Sequence, residues 1–252
     1  MPPIYFFTLG KKPTYSLIYL KNRGKDYMRQ LITSLLFLTF VLFLQGCMES
    51  GSPGTAEDPG QRSMNYAQNA ADVNPVLTGT TVPDVRLKTV EGDSVRLKQL
   101  VKEKPAVLIF YRGGWCPYCN RHMAQLQEAH SQLADLGYQV LAVSPDKPEY
   151  LQASKQEKEL SYTLLSDSDM QASKAFGLAF KVDSATVERY KNNGMDLAER
   201  SGHDHHLLPV PAVFMVNPDG MITFQYVNPD YKTRIKSEVL LAAAEAYHPE
   251  EN

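Results

Sequence analysis

The 252 residues carry 26 basic and 28 acidic side chains, a formal net charge of -2, and 43% of them are hydrophobic. That length and apolar content suit one folded domain with a sizeable core plus extensions. The near-neutral balance, with no long block of one sign, leaves no electrostatic footprint for nucleic acid. Three cysteines, Cys47, Cys116 and Cys119, are too few for a disulfide framework and leave one outside the close pair.

The amino-terminal region reads as an address. Lys21, Arg23, Lys25 and Arg29 precede the run Leu31 to Leu44, which is apolar except for Thr33, Ser34 and Thr39. A basic segment before an apolar one of this length is a secretory signal, and the run is short for a membrane span. Leu44-Gln45-Gly46-Cys47 resembles a bacterial lipobox, which implies acylation of Cys47 and anchoring to a lipid bilayer. More than one acyl chain is needed for a stable hold. A plain transmembrane anchor is the alternative, and both place the remainder of the chain outside the cytoplasm. Met28 opens a signal of the usual shape and is a candidate start. Residues 48–81, rich in Gly, Ser, Pro, Asn and Asp without periodicity, read as a flexible tether. The expected organisation is therefore a signal region over 1–47, a tether over 48–81 and a folded domain over 82–248, in the cell envelope.

Within that domain, Val85 to Leu97 holds two short strand-like pieces around Glu91-Gly92-Asp93. Pro105 to Tyr111 is an unbroken apolar run, as expected of a strand buried on both faces. Asn120 to Leu136 has helical spacing, through Met123, Leu126 and Leu133, and stops at Gly137. Tyr138 to Val143 predicts a strand, Pro148 to Glu159 a surface helix, Tyr162 to Leu165 a strand, and Asp169 to Phe176 a helix. Ala212 to Val216 and Met221 to Tyr226 flank the turn Asn217-Pro218-Asp219-Gly220, and Ser237 to Tyr247 is an Ala-rich helix. Alternating strands and helices predict a parallel sheet covered on both faces, and the hairpin makes it mixed.

Cys116 and Cys119 fall between a predicted strand and a predicted helix, in Trp115-Cys116-Pro117-Tyr118-Cys119. Free N–H groups and the dipole at a helix start stabilise a thiolate. One thiolate can attack while its neighbour resolves the mixed disulfide or sulfenic acid. Pro117 suits the first helical turn, where no N–H is needed. Two other readings exist: half of a zinc site, completed by His203, His205 and His206, or a static disulfide. Gly113-Gly114-Trp115 gives the pair a flexible, partly exposed approach, which favours the redox reading, and no metal or other cofactor is assigned. Arg112 can favour a thiolate or be a solvated loop charge. His203-Asp204-His205-His206 is a candidate proton relay or a polar surface loop. The residues from Tyr226 to Tyr231 are a candidate partner surface or ordinary surface aromatics.

Leu208-Pro209-Val210-Pro211-Ala212-Val213-Phe214 places a proline directly before a strand, which is hard to fit in a regular ladder. Thioredoxin-like proteins put a cis proline there, facing the cysteine pair, and Pro211 is the candidate.

From Val82-Pro83-Asp84 through Phe110-Tyr111, Val143-Ser144-Pro145-Asp146, Leu164-Leu165-Ser166-Asp167 and Phe176-Gly177, the chain resembles a peroxiredoxin. The resemblance is to the alkyl hydroperoxide reductase and thiol-specific antioxidant family, nearest the bacterioferritin-comigratory type, and covers about residues 82–226. It implies a thioredoxin-like fold, a three-layer α/β/α domain with a central mixed sheet. Aligned on Phe110-Tyr111, the family's peroxidatic cysteine falls on Cys119. The family's proline and threonine positions before it hold Arg112 and Cys116, and its catalytic arginine position holds Pro211. The chain is similar to a subgroup with Cys-x-x-Cys.

The resemblance and the motif imply two activities. One is reduction of hydroperoxides through a Cys116/Cys119 dithiol-disulfide cycle, recharged by a thioredoxin-type electron donor. The other is reduction of protein disulfides, with an exposed Cys116 attacking and Cys119 resolving. Trp115, Arg112 and Pro211 are the supporting residues in either case.

Overall fold

The computed structural model describes residues 66–248. The expected signal region with Cys47 and its lipobox, and the tether up to residue 65, lie outside the described residues.

The sequence of β3, Ala106–Phe110, is an apolar run between a charged segment and Tyr111, and every one of its residues is buried. Because successive strand side chains point to opposite faces, this one strand feeds two cores. Val107 and Ile109 join Tyr111 on one face, and Ala106, Leu108 and Phe110 lie on the other. β3 pairs in parallel with β4 (Gln139–Ser144), Val107 opposite Val140, and β4 in parallel with β5 (Thr163–Ser166). On its other side β3 meets β8 (Ala212–Val216) antiparallel, Leu108 opposite Phe214, and β9 (Ile222–Val227) comes next by the expected hairpin. At the far edge, β1 (Arg86–Lys88) and β2 (Ser94–Arg96) form a hairpin whose turn places Gly92 at φ +94°. The order is β2-β1-β5-β4-β3-β8-β9, a mixed seven-stranded sheet.

Helices cover both faces. Leu97 and Val101 of α1 (Leu97–Glu103) and Ala172 of α4 (Gln171–Ala175) pack on the Phe110 face, where the rings of Phe110, Phe176 and Phe214 meet. Met123, Leu126 and Leu133 of α2 (Pro117–Asp135) and Leu240 and Ala244 of α7 (Ser237–Ala246) pack on the Ile109 face, with Leu151 of α3 (Pro148–Glu157). This is the three-layer α/β/α arrangement with a thioredoxin-like, mixed central sheet.

Three features depart from expectation. First, the domain reaches back beyond Val82. Ala67 N–H donates to Ala179 O and its carbonyl accepts from Lys181, and Val76 is buried with its N–H on Phe176 O. Residues 67–81 are thus held by the sheet and by α4 rather than free as a tether. Gly177 permits this approach: at φ +68°, a Cβ there would lie 1.9 Å from Asn74 O.

Second, the segment between Gly177 and Pro209 builds its own layer. Strands β6 (Ala179–Lys181) and β7 (Leu207–Pro209) pair antiparallel and frame α5 (Ser184–Asn192) and α6 (Leu197–Ser201). Asp183 and Asp196 cap the two helices by accepting from Thr186 and from Ala198 and Glu199.

Third, the peptide bonds of the described residues are all trans, Val210–Pro211 included, so the cis assignment is corrected. Trans is the preferred isomer of an X-Pro bond. Pro211 also precedes the paired stretch of β8, where its missing N–H interrupts no ladder bond, while its carbonyl accepts from Asn228.

Candidate active site

β3 and α2 place the cysteine pair. The chain leaves β3 through Tyr111, whose N–H still bonds Val143 O, and passes Gly113 at φ +140°. Cys116 is the N-cap of α2, with extended backbone, and Pro117 opens the helix. Asn120 N–H closes the first turn on Cys116 O at 3.0 Å. Cys119 sits one turn in, on the buried face with His122, Met123 and Leu126.

Both residues are free thiols and both are buried, Cys116 at 1% and Cys119 at 0% exposure. The exposed Cys116 expected of a disulfide reductase is therefore corrected, while Gly114 and Trp115 before it are half-buried. Trp115, Tyr118 and Tyr231 pack against the cluster that contains both sulfurs. Trp115 also lies 5.4 Å from the ring of Tyr190.

The two sulfurs are electrostatically unequal. The Cys116 thiol is drawn down from 9.0 to about 6, chiefly because Cys119 directs its S–H and its N–H at that sulfur, with help from the charges of Arg112 and Arg234. Cys119 is pushed well above the ordinary value by burial and by its role as donor to Cys116. The position of Cys116 at the N-cap of a long helix favours the charged form there over Cys119.

Arg112, buried at 4% exposure, is not a solvated loop charge. Its guanidinium lies 4.1 Å from the ring centre of Tyr231 and 5.3 Å from that of Trp115, and Nη2 donates to Tyr190 Oη. Pro211, Arg112, Tyr190, Pro229 and Tyr231 line a pocket of about 270 Å³. Tyr231, a candidate surface aromatic by sequence, thus belongs to the wall of the site.

Several residues around the cysteine pair were not singled out by the sequence. Arg234 Nη2 donates to Cys119 Sγ at 3.2 Å, so a cation reaches the pair from far along the chain. His122 is buried, and burial and Arg234 push it down to about 4, which keeps it neutral. Asp146, fully buried, takes both arms of Arg200 at 2.9 Å and accepts Gly114 N–H at 2.7 Å. Burial pushes its carboxyl up, and Arg200 and the Gly114 N–H pull against that. This pair ties the loop before Cys116 to α6. No local pattern announces Arg234, Tyr190 or Arg200; only the closure of the fold brings them in.

The histidine cluster is used structurally. His205 spends Nε2 on Ser168 O and Nδ1 on Leu207 N–H, and His206 faces Asp204. Among the described residues no group of three or more His, Cys, Asp or Glu side chains is arranged to hold a metal ion.

Comparison with known proteins agrees with this fold. Residues 78–225 match the family model described as the AhpC/TSA family. A bcp-type relative from Haemophilus influenzae is 34% identical over 106 residues, 42% of this chain and 68% of that protein. Peroxiredoxin Bcp of Escherichia coli K12 is 31% identical over 106 residues, 42% of this chain and 67% of its own. Among solved structures, peroxidoxin BcpB from Mycobacterium tuberculosis superposes with a TM-score of 0.53 at 20% identity, covering 68% of this chain and 98% of that one. Peroxiredoxin Q from Xanthomonas campestris gives 0.53 at 18%, covering 71% and 99%. The chain belongs to the AhpC/TSA family.

Proposed function

We propose that the protein is a thiol peroxidase in which Cys116 is the attacking thiolate and Cys119 resolves. Thiol-dependent peroxide reduction is the activity of the family. The observation that carries the assignment here is the place of Cys116 at the N-cap of α2, where the free N–H groups and the helix dipole favour a thiolate, with Cys119 one turn further in. Cys116 sulfur attacks the peroxide O–O bond, takes one oxygen as sulfenic acid and releases water or an alcohol. Cys119 then displaces that oxygen as water and closes the Cys116–Cys119 disulfide. Two electrons from a thioredoxin-type dithiol restore the pair.

Burial also weighs against the protein disulfide reductase. A small peroxide reaches sulfurs at 1% and 0% exposure far more readily than a folded client. Recharging by a protein donor then requires the first turn of α2 to open, a local motion of the kind that carries many binding loops.

The test is stopped-flow Trp115 fluorescence of the reduced full chain mixed with hydrogen peroxide. The expected result is rapid stoichiometric oxidation to one intramolecular disulfide, with sulfenic acid accumulating at Cys116 in Cys119→Ser. A rate no faster than that of free cysteine sinks the peroxidase. A fast reaction that survives Cys116→Ser and dies in Cys119→Ser reverses the two roles, as the family alignment on Phe110-Tyr111 implies.

The acylation of Cys47, the signal region and the envelope location belong to the same proposal, supported by the lipobox-like Leu44-Gln45-Gly46-Cys47. Among the described residues no helix is long and apolar enough to cross a membrane. Expression in a bacterial host should place the chain in the membrane fraction, and Cys47→Ala should release it to the periplasm or leave it unprocessed. Equal membrane retention of both would remove acylation from the account.

A further inference from the structure

The pocket of about 270 Å³ that Arg112 lines is built in part from residues that the family match does not reach. Gln68 with Asn69 on one wall, and Pro229 with Tyr231 on another, lie outside residues 78–225. Its lining holds the cations Arg112, Lys181 and Arg189 against a single carboxylate, Asp183. Lys181 spends Nζ on His205 O, and Asp183 is turned to α5, where it accepts Thr186 N–H at 2.8 Å. Phe180, Tyr190 and Tyr231 make much of the remainder aromatic.

Arg112 is the group in this pocket that lacks a partner. It is a buried charge at 4% exposure, no carboxylate among the described residues pairs with it, and its Nε is buried without a hydrogen bond. The rings of Trp115, Tyr190 and Tyr231 face the guanidinium and Tyr190 Oη accepts from Nη2. Such contacts offset only part of the cost of taking a full charge out of water, and buried charges are ordinarily met by one of opposite sign. A guanidinium is the side chain best matched to a carboxylate, and a carboxylate with an apolar body suits these aromatic walls better than a bare inorganic anion does.

We propose that the pocket binds a small organic carboxylate, its charge held by Arg112 and Arg189 and its apolar body laid on Phe180, Tyr190 and Tyr231, and that the bound anion restrains the cysteine pair by claiming the Arg112 charge. The connection is short. Trp115 and Tyr231, which both lie against Arg112, pack on the cluster that holds the two sulfurs. The Arg112 cation favours a thiolate at Cys116, and an anion seated on Arg112 cancels that help. Because the thiolate is the nucleophile, Cys116 then reacts more slowly. The site goes beyond the peroxidase reading and stands whichever electrophile the cysteines meet.

Isothermal titration calorimetry of the reduced full chain with sodium benzoate tests the site. Benzoate should saturate one site at about 1 mM or below, and benzamide, similar in shape but uncharged, should bind about tenfold more weakly or not at all. Arg112→Gln should weaken benzoate about tenfold or more. Arg189→Glu, at an exposed position, should weaken it about threefold or more. Absence of saturation, equal affinity for benzamide, or affinity unmoved by Arg189→Glu overturns the site, and all three can be read even where Arg112→Gln does not fold.

The restraint is read with iodoacetamide, a neutral reagent, by following alkylation of Cys116 by mass spectrometry. At about pH 6, saturating benzoate should slow the reaction about threefold or more, while benzamide or the same concentration of sodium chloride leaves the rate where it was. In Arg112→Gln the reaction should start slow and benzoate should add nothing. Benzoate that binds and leaves the rate unchanged overturns the restraint, as does sodium chloride that slows the reaction equally. Neither measurement uses a peroxide, so a failed peroxidase leaves both results standing.

Discussion

Arg200 grips both carboxylate oxygens of Asp146 at 2.9 Å, and one of those oxygens also accepts the N–H of Gly114. The guanidinium in turn lies 3.8 Å from the ring centre of Tyr150 on α3. A charge pair in which the acid is fully buried and the base largely so therefore anchors the loop that delivers Cys116.

Breaking one side of a buried pair leaves the other charge uncompensated. Asp146→Asn should cost about 3 kcal/mol in urea unfolding and loosen the Gly113–Gly114 loop, read as faster hydrogen exchange at Gly114. An unchanged midpoint and unchanged exchange would show that the loop holds itself.

Gly113 is a tight point of that loop. A Cβ on it would lie 2.3 Å from Trp115 Nε1 and 3.0 Å from Asp146 Oδ2, at a φ of +140° that side chains rarely adopt. Gly113→Ala should therefore shift the Trp115 emission spectrum and cost on the order of 1–3 kcal/mol of stability. Emission and midpoint identical to the parent chain would contradict the packing described.

The pH dependence is set by Cys116. Its folded value, about 6, lies below its ordinary 9.0, so between those values the folded chain binds fewer protons at this site than the unfolded one. Stability from this group is complete above about pH 9, and is lost as pH falls through about 6. Alkylation of Cys116 should be near its plateau at pH 7 and fall tenfold per unit below about 6. Arg112→Gln should move that profile upward and slow alkylation at pH 6 by about three- to tenfold. A profile centred near 9 in the parent would remove the thiolate.

Phe214 tests the opposite face of the sheet, remote from the chemistry. Its ring meets Phe176 at 5.2 Å and Phe110 at 6.1 Å. Phe214→Ala should destabilise by about 3–5 kcal/mol in chemical denaturation, while leaving the pH profile of Cys116 alkylation where it was.

The sequence by itself determined the frame. β3, α2, β4, α3, β5, the β8–β9 hairpin and α7 all lie within a few residues of where periodicity and turn chemistry predict them, because each is coded by neighbours in the chain: an unbroken apolar run, a 3.6-residue stripe, Pro117 inside a helix start. The placement of Cys116 and Cys119 at a helix start was legible for the same reason, since their spacing and the helix N-terminus are local facts.

What the tertiary structure decided is everything that depends on distant residues meeting. The layer from Ala179 to Pro209 is built of strands only three residues long, too short to show a period, and its helices were detectable only by the caps Asp183 and Asp196. Arg234 reaches Cys119 across 115 residues, and Arg200 reaches Asp146 across 54. The inequality of the sulfurs is set by such contacts. A Cys-x-x-Cys motif alone gives the two residues like surroundings, and it is the fold that places Cys116 at the helix N-cap and Cys119 against Arg234.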